Sequence, residues 1–188
     1  MGNEMKEHLL KAARDLMDKG GINALSMRTL GNLAGFSRTA LYRHFENKES
    51  LLAAIVAENF SQLEEIINQA EEPGKTPGQA LSILLTAFYE FGIRHPDHYR
   101  LMFSTRWDET RHPEIKQAAK SMFAKTAALV SGAARPGLSP EIPVQKTAVL
   151  FAFIHGMVEL HLSGHNEVSK GLDDAQPLID LLIESMLG

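Results

Sequence analysis

Residues 37–48 read SRTALYRHFENK. At about 100° per residue, a helix over this stretch turns Leu41 and Phe45 to one side and Arg38, Thr39, Tyr42 and Arg43 to the other. That outer face carries guanidinium, hydroxyl and phenol groups with no carboxylate to repel phosphate. A short helix of this kind fits a major groove about 12 Å wide. Arg38 suits the acceptors of guanine, and Thr39 suits a base edge or a thymine methyl. Tyr42, His44 and Lys48 suit phosphate oxygens, as does the positive end of a helix starting near Asn47. The same pattern also describes a solvated surface, so these residues alone leave two readings open.

A second candidate chemistry is metal binding or acid–base catalysis by His155, Glu159, His161 and His165. A helix puts His155 beside Glu159 but turns His161 roughly 200° away from Glu159. His95 and His98 are split by Pro96, no HExxH occurs, and the chain has no cysteine. Core or interface histidines are therefore expected, with no metal and no cofactor. His155 with Glu159 is expected to give a polar handle in an otherwise apolar cavity. No glycine-rich phosphate loop, nucleophile elbow or triad order appears, so no catalytic residue is expected.

The elements that must position these groups read almost entirely as helix. Ser26 and Ser37 can each cap a short helix, with Gly35 in the turn between. Leu30, Leu33 and Ala34 form one apolar face and Leu41 and Phe45 another, the signature of a helix-turn-helix. A helix over 4–19, ended by Gly20 and Gly21 in the left-handed way, packs behind them. Ile22, Leu25, Met27 and Phe36 are expected to complete the shared core. Asn47 starts a longer helix running to about Glu72, broken by PGKTPG at 73–78. Further helices are predicted at 78–94, 97–105, 113–132, 143–163 and 174–187, separated by segments including 134–143 and 163–174. The expected class is all-α with about nine helices.

At 188 residues, 44% hydrophobic and 22% charged, the chain has a globular composition. No apolar run reaches the roughly 18 residues of a membrane span, and the charged start is unlike a signal peptide, so a cytoplasmic location with no membrane partner is expected. The net charge of −4 excludes coating nucleic acid by bulk charge. It is unevenly spread: residues 1–57 hold eight Lys/Arg against six Asp/Glu, and 58–188 hold eleven against seventeen. The basic end is where a polyanion partner belongs.

The stretch 26–55, SMRTLGNLAGFSRTALYRHFENKESLLAAI, resembles the DNA-binding domain of the tetracycline-repressor (TetR) family of bacterial regulators. The resemblance lies in Ser26 with Arg28, Ala34-Gly35-Phe36-Ser37, Leu41-Tyr42-Arg43-His44-Phe45, and Lys48 with Leu51. It implies that Arg28, Ser37, Arg38, Thr39, Tyr42, His44 and Lys48 face double-stranded DNA. Arg28, Arg38 and Thr39 would read bases, and Tyr42, His44 and Lys48 would anchor phosphates. Two positions depart from the family pattern. Gly31 replaces the usual alanine, which loosens its helix by roughly 1 kcal/mol, and Phe36 replaces a smaller aliphatic residue.

The resemblance also implies two domains, 1–56 for DNA and 57–188 for dimerisation and a small-molecule effector of unknown identity. One short reading helix covers few base pairs, so a homodimer on a pseudo-palindromic operator is expected, its two reading helices about 34–36 Å apart. Candidate interface residues are Val144, Ala148, Phe151, Ala152, Val158 and Leu162 on one helix and Leu178, Leu181, Leu182 and Met186 on another. The alternative is that both helices face the chain's own core. Phe88, Phe91, Tyr99, Met102, Phe103, Trp107, Met122 and Phe123, with His155 and Glu159, are candidate pocket residues, though such a stripe also describes plain core. Segments 91–103 and 151–165 resemble the C-terminal domain called WHG. The expected protein is a ligand-responsive repressor, not an enzyme. Effector binding would shift the 47–72 helix by its differential affinity, often about 1–3 kcal/mol. The alternatives are a helical enzyme using the His155/Glu159 region, which would lose turnover in His155→Ala, and a protein-interaction module.

Overall fold

A computed structural model describes residues 2–70, 74–133, 139 and 141–187. Among them the chain forms nine α-helices, one 3₁₀ turn and no strand. The helices are α1 (Gly2–Ala24), α2 (Met27–Ala34), α3 (Arg38–Tyr42), α4 (Lys48–Ala70), α5 (Pro77–Arg94), α6 (Pro96–Phe103), α7 (Pro113–Ala133), α8 (Glu141–Leu162) and α9 (Ala175–Leu187). The 3₁₀ turn, Val168–Lys170, lies inside the connection expected at 163–174. The all-α class is as the periodicity predicts. The expected helix end near Glu72, the start of the break at Pro73, and most of the connection expected at 134–143 lie outside the described residues.

Two compact units form: Met1–Asn59 with Asp97–Lys116, and Phe60–Pro96 with Gln117–Gly188. In the first, α2 is held by a reciprocal cap. Thr29 N donates to Ser26 Oγ at 3.0 Å and Ser26 N to Thr29 Oγ1 at 2.9 Å. Gly35 ends α2 at φ 70°, ψ 20°, its N–H reaching Gly31 O. Ser37 then caps α3 by accepting from Ala40 N at 3.2 Å. Asn47 caps α4, with Ser50 N donating to its Oδ1 at 2.9 Å.

Three expectations for this unit need correction. Helical structure continues past residue 19 to Ala24, interrupted at Gly21, whose φ of 72° comes with an extended ψ of 176° instead of the left-handed helical value. That region is essentially open only to glycine. Leu33 is 60% exposed, because only Leu30 and Ala34, one turn apart, share the inward face of so short a helix. Of the four residues expected to complete the core, Leu25 is fully buried, whereas Ile22, Met27 and Phe36 are half-buried.

In the second unit α5 packs on α8 and α9, and α8 on α9. Leu81, Leu84, Phe88, Leu150, Ile154 and Ile183 are among its buried side chains. Ser82, Thr86, Gln176 and Asp180 stitch α5 to α9: Ser82 Oγ donates to Asp180 Oδ1 at 2.7 Å, and Thr86 Oγ1 to Gln176 Oε1 at 2.6 Å. Burial, with the charge of Asp174 second, pushes the Tyr89 phenol above its ordinary value. It stays protonated and lies 2.8 Å from His161 Nδ1, which Asn166 Nδ2 approaches at 3.2 Å.

Candidate nucleic-acid interface

Leu41 and Phe45 are 0% and 2% exposed, and their burial fixes which way α3 faces. The five-residue helix is too short to stand by propensity, so its cap and this apolar anchor hold it. What remains outside is Arg38, Thr39, Tyr42 and Arg43, all exposed. The Arg38 guanidinium lies 5.5 Å from the centroid of the Tyr42 ring, one turn on, which narrows the space it samples. Among the described residues, Arg28, Arg38 and Arg43 form no ion pair.

Beside α3 runs an open groove of about 480 Å³ lined by Met27, Arg28, Gly31, Asn32, Phe36, Arg38 and Tyr42. It joins Arg28 on α2 to Arg38 and Tyr42 on α3 over an apolar floor. Asn32, a bidentate hydrogen-bonding side chain at this edge, escaped the sequence reading. Its place one helical turn after Arg28 was the available signal.

The remaining expected contacts are partly committed elsewhere. Ser37 spends its hydroxyl as an acceptor on the α3 cap. His44 is half-buried, with Nε2 3.2 Å from Met5 Sδ on α1. Lys48 donates to Ile22 O at 2.9 Å, which leaves two ammonium protons. Of the three expected phosphate anchors, Tyr42 alone is exposed, at 41%.

The ten candidate pocket residues divide between the units. Tyr99, Met102, Phe103 and Trp107 belong to the first, where Tyr99 lies against Phe103 at 5.3 Å and Trp107 Nε1 donates to Leu101 O at 2.9 Å. Phe88, Phe91, Met122, Phe123, His155 and Glu159 belong to the second. There Phe88 meets the His155 ring edge-on at 5.1 Å, and Phe123 stacks on Phe151 at 5.6 Å. Phe91 lies against His95, and Met122 is buried. Burial holds His155 below its ordinary value. Glu159 is exposed on α8, so the expected His155–Glu159 handle reduces to His155 among aromatic rings.

The interface candidates also sort by exposure. Val144 and Leu181 are 50% and 62% exposed. Ala148 and Ala152 are exposed too, and Phe151, Leu162, Leu178, Leu182 and Met186 are half-buried. Val158 is a correction: at 0% exposure it packs inside its own unit and has no surface for a second chain.

Comparison with known proteins agrees with this geometry. Residues 9–55 match the family described as bacterial regulatory proteins, tetR family, and residues 81–186 match the tetracyclin repressor-like C-terminal domain. The HTH-type transcriptional activator FasR of Mycolicibacterium smegmatis is 28% identical over 118 residues, 63% of this chain and 53% of that protein. The chain thus spans little more than half the length of that relative. The HTH-type transcriptional regulator TtgR of Pseudomonas putida is 24% identical over 187 residues, 94% of this chain and 89% of that one. A TetR-like transcriptional regulator from Rhodococcus sp. RHA1 has the same fold at a TM-score of 0.65, with 20% identity over 95% of this chain and 93% of that one. With both halves matched and the helix-turn-helix in place, the chain belongs to the TetR family of transcriptional regulators.

Proposed function

We propose that this regulator is a ligand-responsive, homodimeric repressor that works in the cytoplasm on a pseudo-palindromic operator, and that it is not an enzyme. Residues 1–56 form its reading head, and 57–188 carry dimerisation and effector binding. The observation that carries the reading is the outer face of α3, where Arg38, Thr39, Tyr42 and Arg43 stand exposed over buried Leu41 and Phe45. Arg28, Arg38 and Thr39 read bases, while Ser37, Tyr42, His44 and Lys48 contact the backbone. Two copies meet through the exposed apolar residues of α8 and α9. The effector binds through the aromatic residues around His155, which offers a neutral imidazole to a largely apolar molecule.

Selection of bound duplexes from a random pool, followed by footprinting at moderate salt, tests this. The expected product is an inverted repeat with half-sites one helical turn or a multiple apart, bound by a dimer in light scattering. A uniform footprint at all sequences would overturn the proposal and favour a protein-interaction module. Transcription rising when the operator is occupied would reverse the sign of regulation, in line with the relative named an activator.

A further inference from the structure

After α6 the chain makes a tight turn in which the Asp108 carboxylate accepts from Thr110 N at 2.8 Å and from Thr110 Oγ1 at 2.7 Å. Those bonds hold the Asp108 carboxyl below its ordinary value. The turn sets Arg111 and His112 side by side against the first turn of α4. Arg111 takes one oxygen of Glu49 at 3.1 Å, and His112 Nε2 takes the other at 3.3 Å. The second ring nitrogen of His112, Nδ1, lies 3.4 Å from Glu114 Oε1 at the start of α7. The ring is buried, and Trp107 meets it edge-on at 5.6 Å. All these groups lie within the first unit.

Nε2 makes a hydrogen bond with Glu49, whereas Nδ1 and Glu114 form an ion-pair contact, and both nitrogens carry a proton only in the charged ring. With both present, Glu49 and Glu114 are each attracted. With one, a carboxylate faces a lone pair. The charged groups around the ring are Glu49 from α4, Glu114 from α7 and Arg111 from its own turn, with the Trp107 indole as its aromatic wall. Glu49 directly follows Lys48, whose ammonium is bonded to Ile22 O. The first turn of α4 is thus gripped from two sides, at the point where the proposed DNA face ends.

We propose that His112 is a proton-dependent positioning residue that clamps the first turn of α4 through Glu49. Its effect on DNA affinity rests on the function proposed above, whereas the clamp itself does not. The grip tightens when the ring carries both protons and loosens when it loses one.

Trp107 is the sole tryptophan of the chain and touches the ring, so its emission reports the clamp directly. In the intact protein, titrated from pH 8.5 to 5.5, the emission falls in one step as the imidazole gains its proton and quenches the indole. His112→Gln, checked for folding by circular dichroism, lacks the step. Amide exchange at residues 50–53, corrected for the intrinsic pH dependence, is slower at pH 5.5 than at pH 8 in the wild type and equal in the variant. Affinity for a selected duplex weakens about fivefold over the same rise in pH, the low end of coupling between linked sites, and His112→Gln flattens that profile. A step that survives in His112→Gln, or exchange that ignores pH, would overturn the clamp. If both protein-only results hold while no duplex is selectively bound, the DNA reading falls and the clamp stands.

Discussion

The outer face of α3 and the turn at 108–112 belong to the same compact unit and treat their cations in opposite ways. Arg28, Arg38 and Arg43 are exposed and form no ion pair among the described residues. Arg111 and His112 share the two oxygens of Glu49, and at another point of the unit Arg14 pairs with Glu58. Cations already matched to carboxylates organise the protein. Those left unmatched are free to exchange their counterions for a polyanion, where each phosphate contact adds to affinity and to its salt dependence.

The most damaging way to break the contrast is to remove the platform under the unmatched face. Leu41 is fully buried and is the inward anchor of a helix only five residues long. Leu41→Ala should cost about 2–5 kcal/mol of stability in urea titrations, and selective DNA binding should go with it. Arg38→Ala, by contrast, should leave the urea midpoint unchanged. It should weaken operator binding by about 1–3 kcal/mol and relax preference at particular base pairs, read by gel shifts on single-base variants.

Lys48 sharpens the comparison, because it sits between the two classes. Its ammonium is bonded to Ile22 O yet retains protons for phosphate. Lys48→Ala should lower stability by about 0.5–1.5 kcal/mol and weaken all duplexes alike, reducing the salt slope by about one. Tyr42→Phe should weaken all duplexes alike without the loss of stability. Gel-shift titrations over a salt series, paired with thermal melts, separate the two variants.

His155 sharpens the comparison from the second unit, since burial rather than a carboxylate sets its direction. The folded protein favours the neutral ring and takes up its proton less readily than the unfolded chain. The stability this gives is complete above the unfolded value of about 6.5 and is lost as pH falls toward the lowered folded value. Urea titrations at pH 7.5 and 5.5, at fixed protein concentration, should show the wild type losing more stability than His155→Gln.

These contrasts also mark what could be read from sequence. Ser26, Gly35 and Ser37 act on neighbours within a few residues, so the helix-turn-helix was legible from local chemistry, as was the outward set Arg38, Thr39, Tyr42 and Arg43. Contacts across long stretches of chain were not. Glu49 meets Arg111, and Lys48 meets the Ile22 carbonyl, through pairings that no periodicity encodes. The association of Asp97–Lys116 with the amino-terminal helices was hidden for the same reason. Val158 and Val144 are the same residue type on one apolar helix, and only tertiary packing decides that one is buried and the other half exposed.

The smallest expected effect concerns Gly31, where the chain departs from the family pattern. Its φ is not positive, so α2 gains nothing from glycine's extra freedom there. A β-carbon would sit 3.4 Å from Phe36 O, an ordinary contact. Gly31→Ala should therefore stabilise the protein by roughly 0.5–1 kcal/mol, raising the melting midpoint by about 1–4 °C. The same methyl would enter the groove between Arg28 and Arg38. If that groove receives part of the duplex, the variant should melt later yet bind its operator more weakly, because added order in α2 cannot compensate for a contact filled by the methyl. If the groove is only a gap beside the reading helix, stability should rise and affinity stay unchanged. Thermal melts and operator titrations on this one variant thus determine whether the face that reads DNA extends from α3 onto α2.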